Sequence, residues 1–269
     1  MTTVPNPVPA QSTRAAATTT DVLLSRFQAA CDAPAVPESG GSEAVHHDSL
    51  PDRQCRAAAD VLAVDAVEIS IMIDGRKRVP LGASSPAATT AESLEFTLGE
   101  GPSLSAHTHD APVLVPDLTD HWAPVWSDWA TYGEELCART PYRAVFAFPL
   151  SREGLTLGTI SLYRELPGEL SSDEMARAMA VADQVFDDLL DSGMFDHDAA
   201  PLSRWLDLPL ARGRGTLWRA VGVTTVELSM SSADALALLR AYSYSHNLLL
   251  DDVAADVISR QLPPAVLAA

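Results

Sequence analysis

The chain has 269 residues, 47% hydrophobic and 20% charged, with a formal net charge of -18. That length is enough for one large domain and a smaller one. The acidic balance excludes a protein that coats nucleic acid without selectivity. No apolar run approaches the roughly 18 residues a membrane span needs. The first twenty residues lack the basic and apolar blocks of a secretory leader, so a cytoplasmic protein with no membrane partner is expected.

The charge is uneven. Residues 201–269 hold six arginines and six acids, so this segment is neutral and the whole acidic surplus lies in residues 1–200. Cys31, Cys55 and Cys137 are odd in number, widely spaced and without a C-x-x-C. They fit reduced thiols better than a disulfide framework or a zinc site.

In chain order, residues 1–20 are rich in Thr, Pro and Ala without periodicity and read as a disordered tail. Residues 21–33 suit a short helix, 34–48 a loop, and 52–63 an amphipathic helix. The period then changes to two. Val67, Ile69, Ile71 and Ile73 face one way and Glu68, Ser70 and Met72 the other, the mark of a strand with one buried face. Asp74-Gly75 is a hairpin turn signal, and 76–84 returns as the partner strand. A short strand with edge prolines follows at 111–117, then a helix over 122–138. Residues 142–150 and 155–163 make a second hairpin across Ser151–Gly154.

The spacing over 171–191 predicts a long helix. Ser171 and Glu174 fit a capping box. Met175, Ala178, Ala182, Val185 and Leu189 repeat at 3, 4, 3, 4, with Met179, Phe186 and Leu190 beside them. Such a stripe either pairs with a second copy in a homodimer or is one broad face buried in the monomer. Residues 21–194 together read as an α+β domain, an antiparallel sheet flanked by helices. Residues 195–215 carry Pro and Gly punctuation and read as a linker. Residues 216–264 show only the helical period and read as a separate small all-α domain.

Catalytic signatures are missing: no G-x-S-x-G, no H-E-x-x-H and no Walker loop. No cofactor is implied, and a regulator without chemistry of its own is expected. LGEGPSLS (98–105) has no Lys to hold a phosphate; Gly99 and Gly101 suit a turn into a short helix with Pro102 near its start. The histidines of HTHD (107–110) and HHD (46–48) read as surface residues rather than a metal set, and the carboxylates as solvated helix faces. In LTLGTISLY (155–163), Leu157, Thr159, Ser161 and Tyr163 share one face by alternation. That mix of hydroxyls and an aromatic suits either a ligand cavity or the half-wet side of a sheet.

Three collinear stretches, LPDRQCRAAADVLAVDAVEISIMIDGRKRVPLGASSP, FTLGEGPSLSAHTHDAPVLVPDL and RAVFAFPLSREGLTLGTISLYRELPGELSSDE, resemble the GAF domains of actinobacterial GAF–ANTAR regulators over roughly residues 50–192. The resemblance implies a six-stranded antiparallel sheet with helices on one side and a pocket for a small molecule, of unidentified chemistry, on the other. It also implies that terminal helices pair in a dimer.

Within 216–262, RAVGVTTVELSMSSADAL, LALLRAYSYSHN and LLLDDVAADVI resemble the three helices of ANTAR, a domain that binds RNA hairpins in transcription antitermination. The chain departs from that pattern in Val221 before Gly222, in Leu248, Leu249 and Leu250 where the turn is commonly basic, and in Pro201 and Pro209 before the first helix. By helical period, Ala235, Leu238, Leu239 and Tyr242 belong to a core, as do Leu250, Val253, Ala254, Val257 and Ile258. Arg219, Arg240, Tyr244, His246 and Asn247 are left for solvent and, with Gly222, form the candidate RNA surface. Arginine for phosphate, aromatics for stacking and amides for base edges are what loop recognition uses. RNA hairpin loops, not DNA, are therefore the expected partner. The alternative is a degenerate output domain acting as a ligand- or protein-binding scaffold, with the three leucines as an apolar patch.

Overall fold

The computed structural model describes residues 11–33, 49–73, 77–120, 126–192 and 208–267. Helix α1 spans Gln11–Asp32, so the helix runs back into the stretch read as a disordered tail. Its apolar period starts only at Leu23; Leu23, Phe27 and Cys31 are buried one turn apart, and 11–20 carries no comparable repeat. Helix α2 (Leu50–Leu62) is capped by a reciprocal Ser49–Asp52 box.

Strands β1 (Ala66–Ile73) and β2 (Lys77–Ala83) pair antiparallel, closing at Ile73 and Lys77. The predicted Asp74-Gly75 turn lies outside the described residues. After α3 (Pro86–Leu98), α4 (Pro102–His109) and the short β3 (Val113–Val115) comes α5 (Trp126–Arg139). The hairpin β4 (Ala144–Arg152) and β5 (Leu155–Arg164) turns through Glu153 and Gly154, both at positive φ, the geometry a two-residue hairpin loop needs. Among the described residues the sheet has five strands, ordered β2-β1-β5-β4-β3, one fewer than the family resemblance implies.

The two faces of the sheet differ in chemistry. One presents Val67, Ile69, Ile71, Phe146, Phe148, Ile160 and Leu162 to α1, α2 and α6 (Ser172–Asp191) and forms the largest apolar core. The other presents Ala66, Val145 and Tyr163 toward a smaller core completed by Leu94, Tyr132 and Leu136 of α3 and α5. Helices therefore cover both faces.

Helix α6 has the predicted capping box, with Ser171 accepting from the Glu174 amide. Its stripe goes to the monomer: Ala178, Ala182, Val185 and Leu189 are buried in the main core, and Met175 packs on its edge. The dimer assignment for these residues is corrected accordingly. A 3-4 repeat describes an apolar face, and a sheet satisfies it as fully as a second helix does.

The C-terminal domain comprises α7 (Pro209–Leu228), α8 (Ser232–Ser245), α9 (Leu250–Ile258) and a last turn, Pro264–Leu267. Residues 209–215, read as linker, are the first two turns of α7. Pro209 sits at the helix start, where its missing N–H costs nothing, and the Ala211 and Arg214 side chains are buried. The core of this domain contains Leu217, Val221, Ala235, Leu239, Leu250, Val253, Ala254 and Val257. Val221, a departure from the family pattern, is thus an inward residue. No helix among the described residues is long and apolar enough to cross a membrane.

Gly158 marks the tightest point of the sheet. A Cβ there would lie 2.0 Å from the Ser70 carbonyl oxygen of the neighbouring strand. Gly158→Ala is expected to lower stability by about 1–3 kcal/mol, the usual cost of overpacking, measured by urea unfolding.

Candidate functional site

The polar side of β1 and β2 meets α3 in a cluster of buried charges. Arg78, on β2, is 2% exposed and faces three carboxylates that are all essentially buried. Its Nη2 donates to Glu68 Oε2 at 3.3 Å, and its Nε donates to Ser70 Oγ at 3.0 Å and lies 3.5 Å from Glu92 Oε1. Nη1 stands 2.7 Å from Glu95 Oε2, a close ion pair not aligned as a hydrogen bond. The carboxylates hold the guanidinium far above its ordinary pKa, against the opposing effect of burial.

Glu95 has a second role. Its carboxylate accepts the backbone N–H of Ser103 at 2.7 Å and of Leu104 at 3.1 Å, and the Ser103 hydroxyl at 2.5 Å. It therefore occupies the N-terminus of α4, where a helix favours an anion. Gly101 makes this possible: at φ 149° it has no Cβ, and one would stand 2.4 Å from Glu95 Cγ. The glycine-rich LGEGPSLS thus seats a carboxylate of the chain itself, in the structural role expected for it.

Glu92 connects this cluster to the C-terminal domain. Arg214 of α7, 0% exposed, donates from Nη2 to both Glu92 oxygens, at 2.8 and 2.6 Å. Its Nη1 donates to Asp251 of α9 at 2.7 Å, and its Cζ lies 3.7 Å from the centroid of the Phe96 ring. Glu68, Arg78, Glu92 and Arg214 form one continuous buried ionic chain across the boundary between the domains, ending on the partly open Asp251. With Glu95 it holds four acids against two arginines, and a buried excess of that kind is relieved by protonation. Glu68 is the group that responds. Desolvation, opposed by Arg78 and reinforced by Glu92 and Glu95, raises its pKa to about 8.

Beside Glu68, two buried oxygens, Glu68 Oε1 and Ser161 Oγ, have no hydrogen-bond partner among the described residues, and the buried phenols of Tyr132 and Tyr163 have at most each other. Glu68 sits directly opposite Ser161 in the β1–β5 register, and Ser70 opposite Thr159, their hydroxyls 3.4 Å apart. The phenols of Tyr132 and Tyr163 perturb each other, and burial pushes both well above the ordinary tyrosine range. Buried donors and acceptors without partners are groups that a small polar ligand can satisfy.

Of the predicted pocket residues, Thr159, Ser161 and Tyr163 lie on this polar face. Leu157 does not. The β4–β5 register slips between Leu150 and Ser151, so Leu157 is skipped in the pairing and joins the opposite, apolar core. A bulge reverses the alternation at one residue, which a strict period of two does not anticipate. Sequence reasoning missed Glu68, Arg78, Glu92, Glu95 and Arg214, having treated the carboxylates as solvated. The available signals were an acid in the middle of a strand of isoleucines and an arginine bracketed by Gly213 and Gly215.

The candidate RNA residues separate. Arg219 and Gly222 are exposed on α7, and Tyr244 is 53% exposed at the end of α8. His246 is exposed and stacks on Tyr242, with centroids 3.9 Å apart. One of the set, Arg240, is not left for solvent, and a second, Asn247, is exposed but tied to the larger domain. Arg240 lies over the other part of the Phe96 ring at 5.3 Å and beside Gly99, and burial together with Arg214 lowers its pKa. Asn247 accepts a hydrogen bond from Arg139 of α5. The leucines that follow complete this contact. Leu249 packs on the α3–α5 core, Leu250 is buried in the C-terminal core, and only Leu248 is partly open, at 38%. The first turn of α9 has no side-chain cap of its own; Thr97 of α3 accepts the Leu250 N–H at 3.2 Å instead. Among the described residues no cluster of three or more ligand-type side chains suits a metal ion.

This is an α+β domain with a buried polar site, onto which a second, helical domain is docked through α3. The chain belongs to the GAF domain family, whose model matches residues 48–186, just over half of its length. Solved structures similar to it include GAF domains of a phosphoenolpyruvate-protein phosphotransferase from Coxiella burnetii (14% identity, 67% of this chain and 98% of that one, TM-score 0.46) and of one from Acinetobacter (13%, 65% and 97%, 0.42). A domain of a putative two-component sensor histidine kinase protein from Sinorhizobium meliloti is similar at 18% identity, over 59% of this chain and all of that one, with a TM-score of 0.43. No curated protein matches the chain in sequence.

Because Glu68 has a raised pKa when folded, the folded state holds a proton that the unfolded chain releases between the ordinary glutamate value and about pH 8. Its contribution to stability is full below that window and lost as pH rises through it. Glu68→Gln is expected to flatten the fall in stability between pH 5 and about pH 8, measured by denaturant unfolding at a series of pH values.

Proposed function

We propose that the chain is a signal-responsive regulator, without chemistry of its own, in which the GAF domain is the input and the helical domain is an ANTAR-like output that binds RNA hairpins in antitermination. The observation that carries the input–output reading is the sharing of Glu92 between Arg78, inside the GAF domain, and Arg214, from the C-terminal domain. A small molecule that satisfies the unpartnered oxygens around Glu68 has to disturb the same ionic chain. The affinity of the two domains for each other then depends on the ligand, and by linkage the reverse also holds.

The RNA reading of the output rests on the resemblance of 216–262 to ANTAR. It is supported by Arg219, Tyr244 and His246, exposed groups of the kinds that grip phosphate and stack on bases. The domain is electrically neutral overall, so a single copy binds weakly, and a homodimer offering two copies gains by avidity. The leucine run that favoured a scaffold is mostly used in packing, since Leu249 and Leu250 face inward.

The full chain is expected to shift an RNA with two short hairpins in a salt-sensitive manner. Arg219→Ala combined with Tyr244→Ala should weaken binding roughly tenfold or more, since one base stack is worth about 1–3 kcal/mol. If no hairpin RNA is retained at low salt by folded protein, the RNA reading fails.

A further inference from the structure

The C-terminal domain meets the GAF domain through β2, against which α7 packs with Ala211 entering the main core, and through α3, which supplies the polar and aromatic contacts. Glu92 takes Arg214 in a bidentate pair, Phe96 is flanked by both Arg214 and Arg240, Thr97 caps α9, and Gly99 leaves room for the Arg240 head group. A planar guanidinium held edge-on by a carboxylate and face-on by an aromatic ring is a specific arrangement, which a lysine ammonium does not reproduce. The GAF half of this site, Glu92 and Phe96, belongs to α3 alone. Glu95, one turn on from Glu92, also reaches Arg78, and Glu92 Oε1 lies 3.5 Å from it.

We infer that Arg214 is an intramolecular guanidinium ligand of a receptor site on the GAF domain, and that it latches the C-terminal domain in a closed state in which Arg240 is withheld from an RNA partner. Closing occupies Arg240 against Phe96 and Asn247 against Arg139, and it takes Leu249 into the α3–α5 core. Opening returns an arginine to the surface already bearing Tyr244, His246 and Asn247, and releases Asn247 from Arg139. The consequence for RNA rests on the function proposed above; the latch itself does not.

Hydrogen exchange on the full chain tests the latch without RNA, so the two ideas fail separately. In Arg214→Ala, amides of α9, beginning with the Leu250 N–H that Thr97 accepts, should exchange on the order of 100-fold faster, as expected when one partner of a buried pair is removed. Those of α6 in the GAF core should be unchanged. Methylguanidinium at millimolar concentration should restore protection to Arg214→Ala, and methylammonium at equal ionic strength should not. Glu92→Gln should open the domain and resist this rescue. Arg214→Lys, which keeps the charge without the fork, should be intermediate, and it decides the matter should the alanine variant unfold as a whole. Wild-type protection of α9 in Arg214→Lys, or in a folded Arg214→Ala, overturns the latch, as does equal rescue by the two cations. If the latch and the RNA reading both hold, Arg214→Ala binds hairpin RNA more tightly than the parent chain.

Discussion

A single buried guanidinium, that of Arg78, sets the terms for the interior of this protein. It has Glu68, Glu92 and Glu95 around it, and none of the four is open to solvent. Removing charges from water is costly, so such a cluster persists only where each group has partners and the excess charge is neutralised. Those demands explain features that otherwise look unrelated. Glu95 is drawn to the N-terminus of α4, which requires Gly101. Glu68 takes up a proton. Glu92 has one oxygen near Arg78 and offers both to a second arginine, which the C-terminal domain supplies.

Helix α3 is consequently a shared element rather than the property of one domain. Its carboxylates complete the polar interior of the sheet, while Phe96 and Thr97 shape the seat of the helical domain. A small displacement of α3 is felt on both sides at once, because the groups on either side are packed and hydrogen-bonded rather than free to adjust. The polar cluster and the docking surface are joined by contact between named groups over a few ångströms.

The sheet and the long helices were legible from period and punctuation. The isoleucine alternation of β1, the hairpin turn within Ser151–Gly154 and the Ser171–Glu174 box all depend on groups within a few residues of one another. Leu157 was misplaced because a bulge depends on how two strands align, which one strand's pattern does not contain. The stripe of α6 was legible as apolar but not as to what covers it, since α1, α2 and β4 reach it from distant parts of the chain. Arg240 was read as solvent-facing because helical period inside a small domain says nothing about a second domain pressed against it.

By itself the sequence determined the two-domain order, the amphipathic faces, the caps and turns, and the family of the larger domain. All of these are written in local spacing or in collinear motifs. Tertiary structure alone decided that an arginine from a glycine-flanked stretch read as linker would pair with a glutamate 122 residues away, over a phenylalanine ring. It also decided that the leucines after Asn247 are a docking contact where the resemblance leads one to expect basic charge. Buried ion pairs are fixed by position in space, and no periodicity along the chain records which acid will meet which base.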